Sequence, residues 1–208
     1  MQKTALQDGA VEQLATGFAF VEGPVWHGDG WFFSDIPNDR IHAVAPDGTL
    51  HIHREPSGNS NGLTLDRGGR LLACEHGNRR VSVADGQAHV STLVDAFEGK
   101  RLNSPNDIVV HSSGAIYFTD PPYGIEPDQQ EQPCSGVYRV APDGQMGLVA
   151  SDFERPNGLA FSPDESVLYI DDSHHQHIRA FDVQADGALA NGRLFADLRH
   201  DSPGVPDG

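Results

Sequence analysis

The feature that most constrains this chain is a segment that recurs along it. Glu22-Gly23-Pro24-Val25-Trp26 leads through Gly28-Asp29-Gly30 to Trp31-Phe32-Phe33-Ser34-Asp35. Asn61-Gly62-Leu63-Thr64-Leu65 leads through Gly68-Gly69 to Leu71-Leu72-Ala73-Cys74-Glu75. Asn106-Asp107-Ile108-Val109-Val110 leads through Ser113-Gly114 to Ile116-Tyr117-Phe118-Thr119-Asp120, and Asn157-Gly158-Leu159-Ala160-Phe161 leads through Pro163-Asp164 to Leu168-Tyr169-Ile170-Asp171-Asp172. A fifth copy opens at Asp207-Gly208. Each full copy has the pattern of strand, tight turn, strand. A third strand follows at Arg40–Val44, Arg80–Val83, Gly136–Val140 and His177–Phe181. A turn comes next, twice as Ala-Pro-Asp-Gly (Ala45 to Gly48, Ala141 to Gly144), and a weaker fourth strand closes the unit. The leading residues are 39, 45, 51 and 50 positions apart. Four antiparallel strands in about 40–50 residues make a β-propeller blade. A row of independent hairpins is the competing architecture, but a lone hairpin buries too little surface to stand.

The expected fold class is therefore all-β: a single propeller domain over residues 1–208, with four blades and the start of a fifth. The frequent turn formers agree, with 23 Gly and 14 Pro, and no window carries the i, i+3, i+4, i+7 apolar spacing of a helix. Such a count does not close a ring comfortably. The simplest expectation is a six-bladed propeller truncated at its C-terminus, short by roughly 80–90 residues on typical blade lengths. Val11-Glu12-Gln13-Leu14-Ala15 reads as a strand that would complete the last blade. The polar stretch Pro121 to Ser135 reads as a lid or rim loop within the third blade.

Net charge is −16, which repels nucleic acid and anionic membrane surfaces, since both need clustered Lys and Arg. Two cysteines, Cys74 and Cys134, do not make a disulfide framework; both are expected as thiols, with Cys74 a small core residue. The N-terminal residues lack the apolar run of a signal peptide, and nothing approaches a membrane span. A cytoplasmic protein is the expectation.

In a propeller the innermost strand of each blade faces the central channel, so equivalent positions form a ring. Here that ring is Glu22, Asn61, Asn106, Asn157 and Asp207, every one with a side-chain oxygen. Asn before Gly is also an ordinary turn signal, which accounts for Asn61 and Asn157 taken singly. It does not account for Glu22, for Asn106-Asp107, or for the shared register. Buried carboxylates repel one another, and a cation removes that penalty. Hard oxygen donors suit calcium, magnesium or manganese; zinc prefers nitrogen or sulfur but tolerates carboxylate. Rival sites are weaker. His174, His175 and His177 are not spaced to aim three rings at one centre, and no Gly-x-Ser-x-Gly nucleophile elbow occurs.

At these residues the sequence resembles the gluconolactonase / senescence marker protein (regucalcin) / luciferin-regenerating enzyme family, in its bacterial gluconolactonase branch. The matching pieces are Phe20–Trp26, Glu75–Val81, Leu102–Asp107, Phe118–Gly124, Arg155–Asp164 and Pro206–Gly208, in order along nearly the whole chain. The resemblance implies a six-bladed propeller with one divalent ion in the channel, held by Glu22, Asn106, Asn157 and Asp207. Asn61 falls outside that implied set. Calcium is the first choice of ion, with zinc, manganese and magnesium as alternatives. The regucalcin branch carries an arginine substrate contact two residues before the position of Asn106; here Ser104 stands there.

The implied reaction is hydrolysis of a sugar lactone to the open aldonic acid. The ion would polarise the lactone carbonyl, and Asp207 would serve as the catalytic base. Asn106, Arg101, Asn103, His76 and Tyr123 are the candidate substrate contacts. Two other activities fit the same pattern: a phosphotriesterase-like hydrolase, and a calcium-binding or regulatory propeller without catalysis. A protein-binding propeller would line its channel mouth with aromatic groups, and aromatics make up only 8% of this chain.

Overall fold

The computed structural model describes residues 13–28, 30–85, 89–199 and 204–207. The described chain is four antiparallel sheets of four strands each, in propeller arrangement. Blade 1 holds β1 (Val21–His27), β2 (Gly30–Asp35), β3 (Arg40–Val44) and β4 (Leu50–Arg54). Blade 2 holds β5 (Ser60–Leu65), β6 (Leu71–Glu75), β7 (Arg80–Ala84) and β8 (Val90–Val94). A small hairpin follows, β9 (Ala96–Phe97) with β10 (Lys100–Arg101). Blade 3 holds β11 (Ile108–Val110), β12 (Ile116–Asp120), β13 (Ser135–Val140) and β14 (Met146–Phe153). Blade 4 holds β15 (Pro156–Phe161), β16 (Val167–Asp172), β17 (His177–Val183) and β18 (Leu189–Asp197). Within each blade the strands pair in chain order, as short turns between antiparallel neighbours require.

Alternation along the strands builds the core. Ile116 and Phe118 of β12 face blade 2 and join Leu72, Cys74 and Val81. Tyr117, between them, faces blade 4 and joins Leu159, Leu168 and Ile170. Successive side chains of a strand point to opposite faces, so one central strand serves both interfaces. Ile41, Leu63, Leu71 and Ala73 fill the space between blades 1 and 2. Cys74 is fully buried and both cysteines are free thiols. The outermost sheets keep large apolar groups exposed, Trp26 and Trp31 in blade 1 and Leu194 and Phe195 in blade 4.

Of the strand expected at Val11 to Ala15 as part of a last blade, residues 11 and 12 lie outside the described residues, and residues 13–15 join no sheet here. Instead the segment runs on to Phe18, whose ring packs edge-on against Phe33 and His42 at 5.0 Å. Asn61-Gly62 and Asn157-Gly158 are not hairpin turns either; both lie inside innermost strands. The stretch from Pro121 contains one short 3-10 helix, Pro127–Gln129, and otherwise crosses the rim without regular structure. Among the described residues, no helix is long and apolar enough to cross a membrane.

Candidate active site

The innermost strands share a local defect that creates the site. In blade 1 the pairing slips between Glu22 and Val25, in blade 2 between Ser60 and Leu63, and in blade 4 between Pro156 and Leu159. In blade 3 the ladder begins only at Ile108, just after Asn106 and Asp107. A bulge leaves a residue unpaired and re-aims its side chain. Asn61 and Asn157 fall inside the slipped stretches of blades 2 and 4, whereas Glu22 still pairs with Ser34 just before the slip in blade 1 and Asn106 N still donates to Thr119 O in blade 3. All four side chains line the channel cavity.

The glycines after the leading residues allow the blades to meet there. A Cβ on Gly23 would lie 2.4 Å from the Asn61 carbonyl oxygen, and Gly23 has φ +57°. A Cβ on Gly62 would lie 2.6 Å from the Asn106 carbonyl oxygen. Backbone then links blade to blade. Ser34 Oγ donates to Asn61 O at 2.7 Å, Gly62 N to Asn106 O at 2.8 Å, and Thr119 Oγ1 to Asn157 O at 2.7 Å.

Glu22, Asn106, Asn157 and Asp207 line one cavity of about 260 Å³, together with Asn61, Tyr123 and Ser173. A second, more enclosed cavity shares Glu22, Asn61, Asn106 and Asp207 and adds Asp107. Asn157 is held by its amide: Nδ2 donates to Ser173 Oγ at 3.1 Å and to Asp207 Oδ1 at 2.5 Å. Both amide protons are thus engaged, and Oδ1 is left for the cavity. Ser173 Oγ donates in turn to Pro206 O at 2.7 Å, and Gln176 Nε2 donates to Gly204 O at 3.3 Å. These contacts pin residues 204–207 against blade 4.

The electrostatics favour a cation. Burial raises the Glu22 carboxyl above its ordinary pKa, and Asp207 beside it raises it further. Below the rim, burial pushes Asp107 up to about 6. It pushes Asp171 up to about 7, with Asp107 and Asp207 adding to the rise. Among the described residues, no three of His, Cys, Asp and Glu cluster as metal ligands. The donor set available in the cavity is of another kind, two carboxylates and neutral amide oxygens. Such a set fits a hard divalent ion better than a soft one. A larger, mostly apolar cavity of about 560 Å³ flanks blade 1, lined by Leu14, Phe18, Trp31 and Phe33 and also by Gln13 and Glu22.

Of the five candidate substrate contacts, the fold brings Asn106 and Tyr123 to the cavity. Arg155 lies over the Tyr123 ring at 5.6 Å. Asn103 is a correction: it is fully buried, and its amide donates to Asp120 O and Cys134 O, both at 3.0 Å. It braces the loop and cannot touch a sugar. Arg101 sits on the β9–β10 hairpin, outside the residues that line this cavity, with its guanidinium on Asn78 O at 3.1 Å. His76 stands behind Asn61, with Nε2 against Asn61 Nδ2 at 3.3 Å. Ser104 accepts from Gly124 N at 3.0 Å and so anchors the turn that carries Tyr123. Sequence reasoning missed Asp107, Asp171 and Ser173. Asp107 adjoins Asn106, but neither its burial nor that of Asp171 is written in the sequence.

The chain matches the SMP-30/gluconolactonase/LRE-like region over residues 20–208. It is 35% identical to a gluconolactonase of Zymomonas mobilis over 95% of this chain and 63% of that one. Its fold superposes on the solved gluconolactonase of Xanthomonas campestris with a TM-score of 0.86 and 38% identity, over 94% of this chain and 67% of that one. A regucalcin structure from Agrobacterium tumefaciens shares the fold at a TM-score of 0.72 and 20% identity, over 88% of this chain and 62% of that one. The chain spans a little under two thirds of the length of the first curated relatives it matches. The family match over residues 20–208 and the 35% identity to a gluconolactonase show that the chain belongs to the SMP-30/gluconolactonase/LRE-like family.

Proposed function

We propose that this chain forms most of a divalent-cation-dependent lactonase that opens a sugar lactone to its aldonic acid. The observation that carries the reading is the convergence of Glu22, Asn106, Asn157 and Asp207 on one cavity. Those four residues would hold the ion, with calcium the first choice and zinc, manganese or magnesium the alternatives. When bound, the ion supplies a Lewis acid for the lactone carbonyl. The protein's own groups do the rest. Asp207 takes a proton from the attacking water as the water oxygen bonds to the carbonyl carbon. The ring C–O bond breaks, and the departing alkoxide receives that proton to become a hydroxyl. Ser173 and Asn157 keep the Asp207 carboxylate in place. Tyr123, half exposed beside the cavity, is positioned to contact the sugar hydroxyls. The reading takes residues 1–208 as part of one propeller domain that two further blades complete. Relatives are named gluconolactonase and pentonolactonase, which favours a small-molecule lactone as the partner.

The test is metal analysis and a panel of aldonolactones on a chain extended to the length of its relatives. Stoichiometric bound metal and metal-dependent turnover of at least one lactone are expected. A metal-free protein that hydrolyses none of them would overturn the reading.

A further inference from the structure

Asn61 occupies the channel register of the four proposed ligands, lines both cavities, and is only 6% exposed. Its amide is oriented from behind. Nδ2 lies 3.3 Å from His76 Nε2; in this amide orientation Nε2 is the acceptor, which requires the ring proton on Nδ1. His76 is neutral at physiological pH, because burial drives it down to about 4. Gly124 passes close to His76, so that a Cβ there would lie 3.0 Å from His76 Cβ and 2.4 Å from Ser104 Oγ. The geometry leaves the Asn61 oxygen toward the cavity, which Asp207 also lines.

Resting on the proposed lactonase activity, we infer that Asn61 is a catalytic residue that orients the attacking water, and that His76 is its positioning residue. A water attacking a lactone has two O–H bonds. Asp207 takes the proton of one, and Asn61 Oδ1 accepts a hydrogen bond from the other. With both O–H directions fixed, the remaining lone pair is aimed at the carbonyl carbon, and orientation of this kind lowers the barrier to attack. Asn61 does not ligate the ion. This role explains why an amide stands at this register although the family's ligand set does not include it.

The test uses the chain extended to its relatives' length, with Asn61→Ala, His76→Phe and His76→Gln variants. Asn61→Ala should lower kcat by about 10- to 100-fold, within the range for a single positioned group. KM and the dissociation constant of calcium, titrated into metal-free protein, should stay within about twofold of wild type. His76→Phe should reproduce most of that loss, and His76→Gln should recover it, because the Gln carbonyl can accept from Asn61 Nδ2. Independently of turnover, ¹⁵N-histidine NMR should show His76 as the Nδ1–H tautomer, with an Nε2 shift that changes in Asn61→Ala. Calcium affinity lost more than about tenfold in Asn61→Ala would make Asn61 a ligand and overturn the inference. A rise in KM at unchanged kcat would make it a substrate contact and do the same. A wild-type protein with no lactonase turnover defeats the proposed function instead, and an Nε2–H tautomer then defeats the pairing by itself.

Discussion

Replacement of Gly62 by Ala tests how the blades meet in the channel. Gly62 is not in a left-handed conformation, so an alanine there meets a contact problem rather than backbone strain. The new Cβ would lie 2.6 Å from the Asn106 carbonyl oxygen and 2.7 Å from both Asp107 Cα and Asp107 Oδ1. The first of these is about 0.8 Å short of the 3.4 Å at which ordinary contact begins. Two of the three atoms are backbone, and no side-chain rotation relieves them. The strands must separate, which stretches the 2.8 Å bond from Gly62 N to Asn106 O. Overpacking costs about 1–3 kcal/mol, and a weakened hydrogen bond adds about 0.5–1.5 kcal/mol. The expected destabilisation is about 2–4 kcal/mol. The same shift moves Asn106 by most of an ångström, which is worth about 10²-fold in activity. Urea unfolding should show a lower midpoint at unchanged slope, and kcat/KM should fall in parallel. Gly147→Ala is the control: its Cβ meets nothing within 4 Å, so it should stay within about 0.5 kcal/mol of wild type. A Gly62→Ala protein as stable and active as Gly147→Ala would refute the close-approach argument.

Asp207→Asn keeps the size and one oxygen but removes the base; turnover should fall at least about 10²-fold, with weaker cation binding by calorimetry, and near-normal turnover with metal bound would exclude Asp207 as the base. Glu75 is fully buried; burial pushes its carboxyl up, but hydrogen bonds from Arg80, Ser82 and Asn78, and the charge of Arg54, hold it below its ordinary 4.5. A depressed carboxylate contributes stability that is full above its unfolded pKa and lost as pH falls through the folded one. Glu75→Gln should therefore cost about 3 kcal/mol at pH 7, and the gap to wild type should close below about pH 4.5; a gap unchanged down to pH 3 in thermal melts would remove the charge from the explanation. The exposed faces at Trp26, Trp31, Leu194 and Phe195 should make the 208-residue polypeptide alone bind a hydrophobic dye and self-associate, whereas a chain carrying two further blades should do neither by light scattering.

Much of the fold was legible because strand signals are local. Period-two alternation and Gly, Pro and Asp turns mark strands within a few residues of their own sequence, and Arg40–Val44 and Leu71–Glu75 fall where the pattern puts them. The channel residues were legible for a second reason: a repeat carries register, so five oxygen-bearing residues at one position per unit announce a ring without any contact being known.

What only the tertiary structure decided concerns residues close in sequence and far apart in role. Arg101, Asn103 and Asn106 look like one cluster, yet five extended residues span about 17 Å. The chain uses that reach to pass from the rim hairpin, through a buried brace, to the channel. Asn61-Gly62 carries the local signal of a turn, but its glycine serves the approach of the next blade. Asp107 and Asp171 look like ordinary strand-end acids until packing removes their water. Sequence determined the strands, the repeat and the register, because these follow from neighbours along the chain. Amide orientation depends on residues 15 or more positions away, and blade-to-blade contact on residues some 40 to 50 positions away, the length of one repeat, and only the folded propeller brings those together.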